Sequence, residues 1–135
     1  MDWSADLIKL ASKGGRDIGE LCKAVKVEMF SEIASLTRVG NPDFWKGKAP
    51  RGYVGGRLRG NWQIQENTMP SGELERIDKT GDKVVSEVES MASEDGVTYF
   101  VNNIPYAEVW EENDMMVGSA VARLDSIIKE EARKL

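Results

Sequence analysis

Residues 83–102 read KVVSEVESMASEDGVTYFVN, and the size of any β-sheet in this chain turns on them. Val84, Ser86, Val88 and Ser90 alternate with Val85, Glu87, Glu89 and Met91, the two-residue period of a strand with one covered face. Glu94-Asp95-Gly96 is a turn signal, and Val97–Asn102 is rich in β-branched and aromatic residues. The reading is a hairpin, Lys83–Met91 with Val97–Asn102. Trp62, Ile64 and Glu66 begin a further alternating strand, so a small antiparallel sheet of three to four strands is expected.

Helical patterns flank that sheet. From Ile18, apolar residues fall at 18, 21, 22, 25, 29, 33 and 36, steps of three and four that make one stripe on a helix. Gly40-Asn41-Pro42 ends it, and Gly14-Gly15 predicts a bend or a short separate helix at about 4–12. Ala120, Val121, Leu124, Ile127, Ile128 and Ala132 form a second stripe, expected as a C-terminal helix packed on the sheet. The class is α+β: a long N-terminal helix, a long glycine-rich loop over 39–60, the sheet, and the last helix, in one domain spanning 1–135. Both stripes are expected to be core.

The loop carries the unusual composition. Residues 45–62, WKGKAPRGYVGGRLRGNW, set large aromatics among glycines, lysines and arginines and supply no acid, base or nucleophile. Residues 37–60 have a net charge of +5, while the remainder carries −10. An acidic body with one basic loop suits an acidic protein partner, or a passage to which DNA must not adhere. Loops of this length inside small domains are usually functional.

Much chemistry is excluded by composition. The chain has no histidine, so Ser-His-Asp and Cys-His arrangements and the usual zinc sites are absent. There is no phosphate-binding GxxxxGK[ST] run, and Gly52–Gly56 lacks the strand and helix of a dinucleotide fingerprint. The lone Cys22 makes no internal disulfide and reads as a small buried apolar residue. Glu108, Glu111, Glu112 and Asp114 form the densest acidic cluster, open to three readings: interface or solvated acids, a divalent-cation site, or a catalytic pair. No signal peptide or membrane-spanning run is evident, so the chain is expected in the host cytoplasm unless a larger particle carries it.

Two runs carry a family resemblance. At 56–62, Gly-Arg-Leu-Arg-Gly-Asn-Trp, the chain resembles the tail-completion, or neck, proteins of long-tailed bacteriophages, which include the minor tail protein Z type. Their TGRLR-x-x-W-like stretch appears here with Gly55-Gly56 in place of Thr-Gly. A second signature, a strand leading into N-N-x-P-Y-A-x-x-x-E, is matched by Tyr99, Val101, Asn102, Asn103, Pro105, Tyr106, Ala107 and Glu111. After it the chain departs: Glu112–Val117 stands where the family has a Gly-x-Ser and Ala-Pro segment. The resemblance implies a structural virion protein at the head–tail junction, assembled as a ring of six. Its partners would be further copies, a tail terminator and a head-completion protein. Genome DNA would pass through without specific binding, and no cofactor, metal or membrane is implied.

On that reading the interface residues are Trp45, Arg51, Tyr53, Arg57, Arg59, Tyr106, Trp110 and Glu111. Arg57 and Arg59, two apart at a strand's beginning, would share one face and pair with a neighbour's carboxylates, or with this chain's own. Trp45 and Tyr53 would anchor an interface or fold back onto their own domain. Trp62 is expected in the core, and Asn102-Asn103 as turn formers. Tyr106 and Trp110, four apart, would share a helical face in core or contact. Glu87 and Glu89 are candidates for an acidic lumen. The alternative is a nucleic-acid-binding module in which Arg51, Arg57 and Arg59 neutralise phosphates while Tyr53 and Trp62 stack on bases.

Overall fold

The computed structural model describes residues 18–39, 55–105 and 107–133, without the side chains of Val109 and Asn113. The helix expected at about 4–12 and most of the basic loop, with Trp45, Arg51 and Tyr53, lie outside the described residues, as does Tyr106.

The first stripe forms helix α1, Ile18–Leu36, but only its Leu21 and Ile33 are buried, with Phe30 and Ala34 from beside the stripe, while Ile18 and Leu36 are exposed at the helix ends and are not core. Its last turn closes on Thr37, whose hydroxyl donates to the Ile33 carbonyl at 2.8 Å. A single helical turn, α2 (Arg57–Gly60), precedes strand β1 (Trp62–Glu66). Thus the last four residues of the expected 39–60 loop are helical, and Arg57 and Arg59 do not alternate as they would in a strand.

Lys83–Met91 is not a strand but belongs to helix α3, Asp82–Met91. Residues four apart lie on one side under either period, so the alternation of Val84 and Val88 was ambiguous. Burial resolves it: Val84, Val88 and Ala92 form one helical stripe, at 1, 0 and 4% exposure. Asp78 begins the helix by accepting the Gly81 and Val84 N–H groups at 2.9 and 3.0 Å.

With that segment helical, the sheet among the described residues has two strands instead of three or four. Strand β2, Thr98–Asn102, pairs antiparallel with β1, Trp62 opposite Asn102 and Glu66 opposite Thr98. The helices gather on the face of Trp62, Ile64 and Phe100, so helices cover one side of an antiparallel sheet as expected. Phe100 stacks between Phe30 and Trp62, with centroids at 4.6 and 4.9 Å. Val84, Val88, Met116 and Ala120 complete the core around them.

After β2 come α4 (Ala107–Asp114), α5 (Met116–Ala122) and α6 (Leu124–Arg133). The expected single C-terminal helix is broken at Arg123, and its two parts pack against α1 more than on the sheet. Arg123 pairs there with Glu32. Ile127 and Ile128 are buried as the stripe predicts, whereas Val121 is 52% exposed and is not core. No helix among the described residues is long and apolar enough to cross a membrane.

Candidate functional site

The turn that carries the first signature is built by two glycines and a set of side chains that reach backbone carbonyls. Gly56 has φ +98, and its amide donates to the Val39 carbonyl at 2.7 Å, so the two positions that flank the basic segment are bonded to each other. Gly60 passes so close to residues 76–78 that an added Cβ would lie 2.3 Å from the Arg76 carbonyl oxygen. These glycines serve close approach rather than mobility. Asn61, fully buried, donates to the Arg57 and Leu74 carbonyls and accepts the Leu74 amide at 2.6 Å. Arg76 then spans the turn from outside, donating to the Gly60 and Trp62 carbonyls at 2.7 Å and pairing with Glu87.

Arg57 and Arg59 have different surroundings. The Arg59 guanidinium donates to the carbonyls of Thr37, Ser35 and Lys79, tying the end of α1 to the 78–81 segment. Four of its five N–H groups have partners inside the chain. Arg57 points outward, 3.1 Å from Glu73, with both side chains more than a third exposed. Trp62 is in the core as expected, its indole N–H donating to the Thr37 hydroxyl at 2.8 Å.

The second signature meets the first. The Asn102 side chain donates to the Leu58 carbonyl at 2.7 Å and accepts the Ile104 amide, making the expected turn. Asn103 donates to the Pro70 and Gly72 carbonyls, holding the 70–72 bend against the end of β2. Beyond it, Trp110 is half-buried beside the core, with the Arg38 guanidinium 3.9 Å from its ring centroid. Arg38 also makes a two-pronged contact with Asp114 at 2.8 Å.

That contact holds the Asp114 carboxyl below the usual aspartate range and raises Arg38 further. Burial alone would raise Glu66, but hydrogen bonds from Thr98 and Ser93 and the charge of Lys26 offset it and leave the group lowered.

Glu111 caps α5: its carboxylate accepts the Val117 and Gly118 amides at 2.9 and 3.1 Å. The corner between α4 and α5 places Met115 in the left-handed region, φ 49, with its side chain 56% exposed. The acidic cluster is thereby divided, since Glu111 and Asp114 hold internal partners and Glu108 and Glu112 face outward. No group of acidic or cysteine side chains among the described residues is arranged to hold a metal ion. Cys22 is only half-buried. An open groove of about 460 Å³, lined by Glu20, Glu28, Glu94, Glu131 and Lys23, lies away from both signatures.

The pairing of Asn102 with the α2 turn had no signal in the sequence beyond the spacing of the two runs, and the roles of Asn61 and Arg76 had none. Each is a polar side chain bonded to main chain 13 to 44 residues away, a separation no local periodicity encodes. Comparison of the chain with known protein families, with characterised proteins and with solved structures finds no match to any of them.

Proposed function

We propose that the chain is a structural virion protein of a long-tailed bacteriophage, completing the tail end and forming part of the neck that joins it to the filled head. One observation carries most of the weight. The two runs that resemble the tail-completion family, 44 residues apart at Leu58 and Asn102, come together through the Asn102–Leu58 hydrogen bond. Trp62 and Asn102 also face each other across the β1–β2 ladder. Residues alike to one family for an architectural reason are expected to meet in the fold, and these do.

Copies assemble as a ring, sixfold like a tail tube, between a tail terminator and a head-completion protein. Arg57, exposed beside Glu73, and Trp110, under Arg38, are the described candidates for contact with a neighbour. Arg59 and Glu111 support them from inside. The basic segment with Trp45, Arg51 and Tyr53 starts and ends beside that surface, because Val39 and Gly56 are bonded to each other. Glu89, exposed on α3, remains a candidate for the lumen, where like charge keeps the genome from adhering.

A nucleic-acid-binding role has less to support it: Trp62 is 5% exposed and cannot stack on a base, and the Arg59 donors are taken by carbonyls. The decisive experiment is deletion of the gene from the phage that encodes it. Filled heads and separate, complete-length tails should accumulate, and joining should return on adding the purified chain to the extract. Normal joined particles, or particles whose purified protein lacks this chain, would sink the proposal.

A further inference from the structure

The two edges of the small sheet differ in what packs against them. Antiparallel strands present alternate residues toward and away from the partner. The Asn67 amide bonds the Val97 carbonyl at 2.7 Å in the same register, which fixes the phase. Gln63 and Gln65 on β1, with Tyr99 and Val101 on β2, exchange the ladder bonds. Trp62, Ile64 and Glu66 point their main-chain groups outward on one edge, and Thr98, Phe100 and Asn102 point theirs outward on the other.

The β1 edge is covered in part: helix α3 packs against β1, and two of its outward carbonyls are bonded. Arg76 donates to the Trp62 carbonyl, and the Thr68 amide donates to that of Glu66 at 2.9 Å. On the β2 edge no described residue bonds the outward amides and carbonyls of Thr98, Phe100 and Asn102. Nor does β2 carry any feature that normally guards an edge: TYFVN has no charge and no proline, and its ladder has no bulge. Val97, beside its start, is 60% exposed. The outer face, opposite the helices, offers Tyr99 and Val101, both half-buried and neutral.

We propose that two copies of this chain join through β2, edge to edge and antiparallel about Phe100. The pattern is self-complementary: Thr98 of one copy faces Asn102 of the other, and Phe100 faces Phe100. All three outward positions therefore become hydrogen-bonded pairs, each exchanging two main-chain bonds, and the two sheets merge into one of four strands. Tyr99 and Val101 of opposite copies meet at the closer, non-hydrogen-bonded positions with no charge to oppose them. Pairing of this kind closes at two copies. It is therefore a property of the chain off the particle and stands or falls independently of the ring proposed above.

Amide exchange and sedimentation on the intact chain test it. Slow exchange at Thr98, Phe100 and Asn102, matching that of Tyr99 and Val101 and lost on dilution to monomer, is expected. Two charged variants fix the register. Tyr99→Lys/Val101→Lys and Tyr99→Glu/Val101→Glu should each self-associate about tenfold more weakly, from like charges set opposite one another. An equimolar mixture of the two should pair again. A chain that is monomeric at all concentrations overturns the inference. So does association that leaves the three amides fast, protection of them in the monomer, or a mixture that fails to restore pairing while both variants keep the native circular dichroism.

Discussion

The α2 turn and the α4–α5 corner are made from similar materials, since each gathers arginine, carboxylate, glycine and a tryptophan. At the turn, Arg59, Arg76 and Asn61 donate to main-chain carbonyls, and two glycines bring backbone against backbone. At the corner, Arg38 lies over Trp110 and meets Asp114 at the surface, with its own side chain 47% exposed. Cations that satisfy buried carbonyls hold the fold, because an unmade bond there leaves a desolvated acceptor. Cations in water beside a carboxylate contribute little, because solvent replaces the partner at small cost. The turn is thus expected to tolerate almost nothing and the corner to tolerate much.

The largest break in that contrast should come from Gly60→Ala. Its methyl would meet the Arg76 carbonyl at 2.3 Å, so backbone must move, at a cost of about 3 kcal/mol in urea unfolding. A loss under half of that would mean the turn is far looser than its packing implies. Next, Arg59→Ala should cost about 2 kcal/mol, chiefly through the orphaned carbonyl of the buried Thr37. Arg57→Ala, two residues away, should cost less than about 0.5 kcal/mol. Equal effects would erase the distinction between them.

Glu111→Ala removes the cap of α5 and should cost about 1 kcal/mol, with exchange quickening first at Val117 and Gly118. The effect at Asp114 depends on pH. Its carboxyl is lowered by Arg38, so its contribution is complete above the unfolded value, about pH 4, and fades as pH falls through the folded value. Asp114→Asn should therefore destabilise by less than about 1 kcal/mol at pH 7 and by progressively less as pH falls below about 4, compared by urea titration across that range.

Long periodic segments were legible. The stripe from Ile18 gave α1 with its end at Leu36, and Val97–Asn102 gave β2 to within one residue. Trp62 was recognisable as core from its size and its place at the head of an alternating run. Lys83–Met91 misled because valines four apart satisfy both periods. The signal that separates them was present upstream, in Asp78 three residues before Gly81, a carboxylate placed to meet the first amides of a helix. Of the candidate interface residues, sequence could identify the charge and bulk of Arg57, Arg59, Trp110 and Glu111 but not their partners. Arg59 and Glu111 differ from Arg57 only in what the fold brings opposite them.

Local pattern and composition alone determined an α+β chain, a long first helix, a strand ending in paired asparagines, and the exclusion of histidine-based chemistry. Those depend on periodicity and residue type, which the chain carries wherever it folds. Only the tertiary structure decided that the sheet among the described residues has two strands, that glycines 56 and 60 are contact points, and that one arginine of a pair is internal. These outcomes rest on which carbonyls lie within 3 Å of a side chain that is distant in sequence. Burial makes such bonds compulsory, and no window of neighbouring residues contains that information.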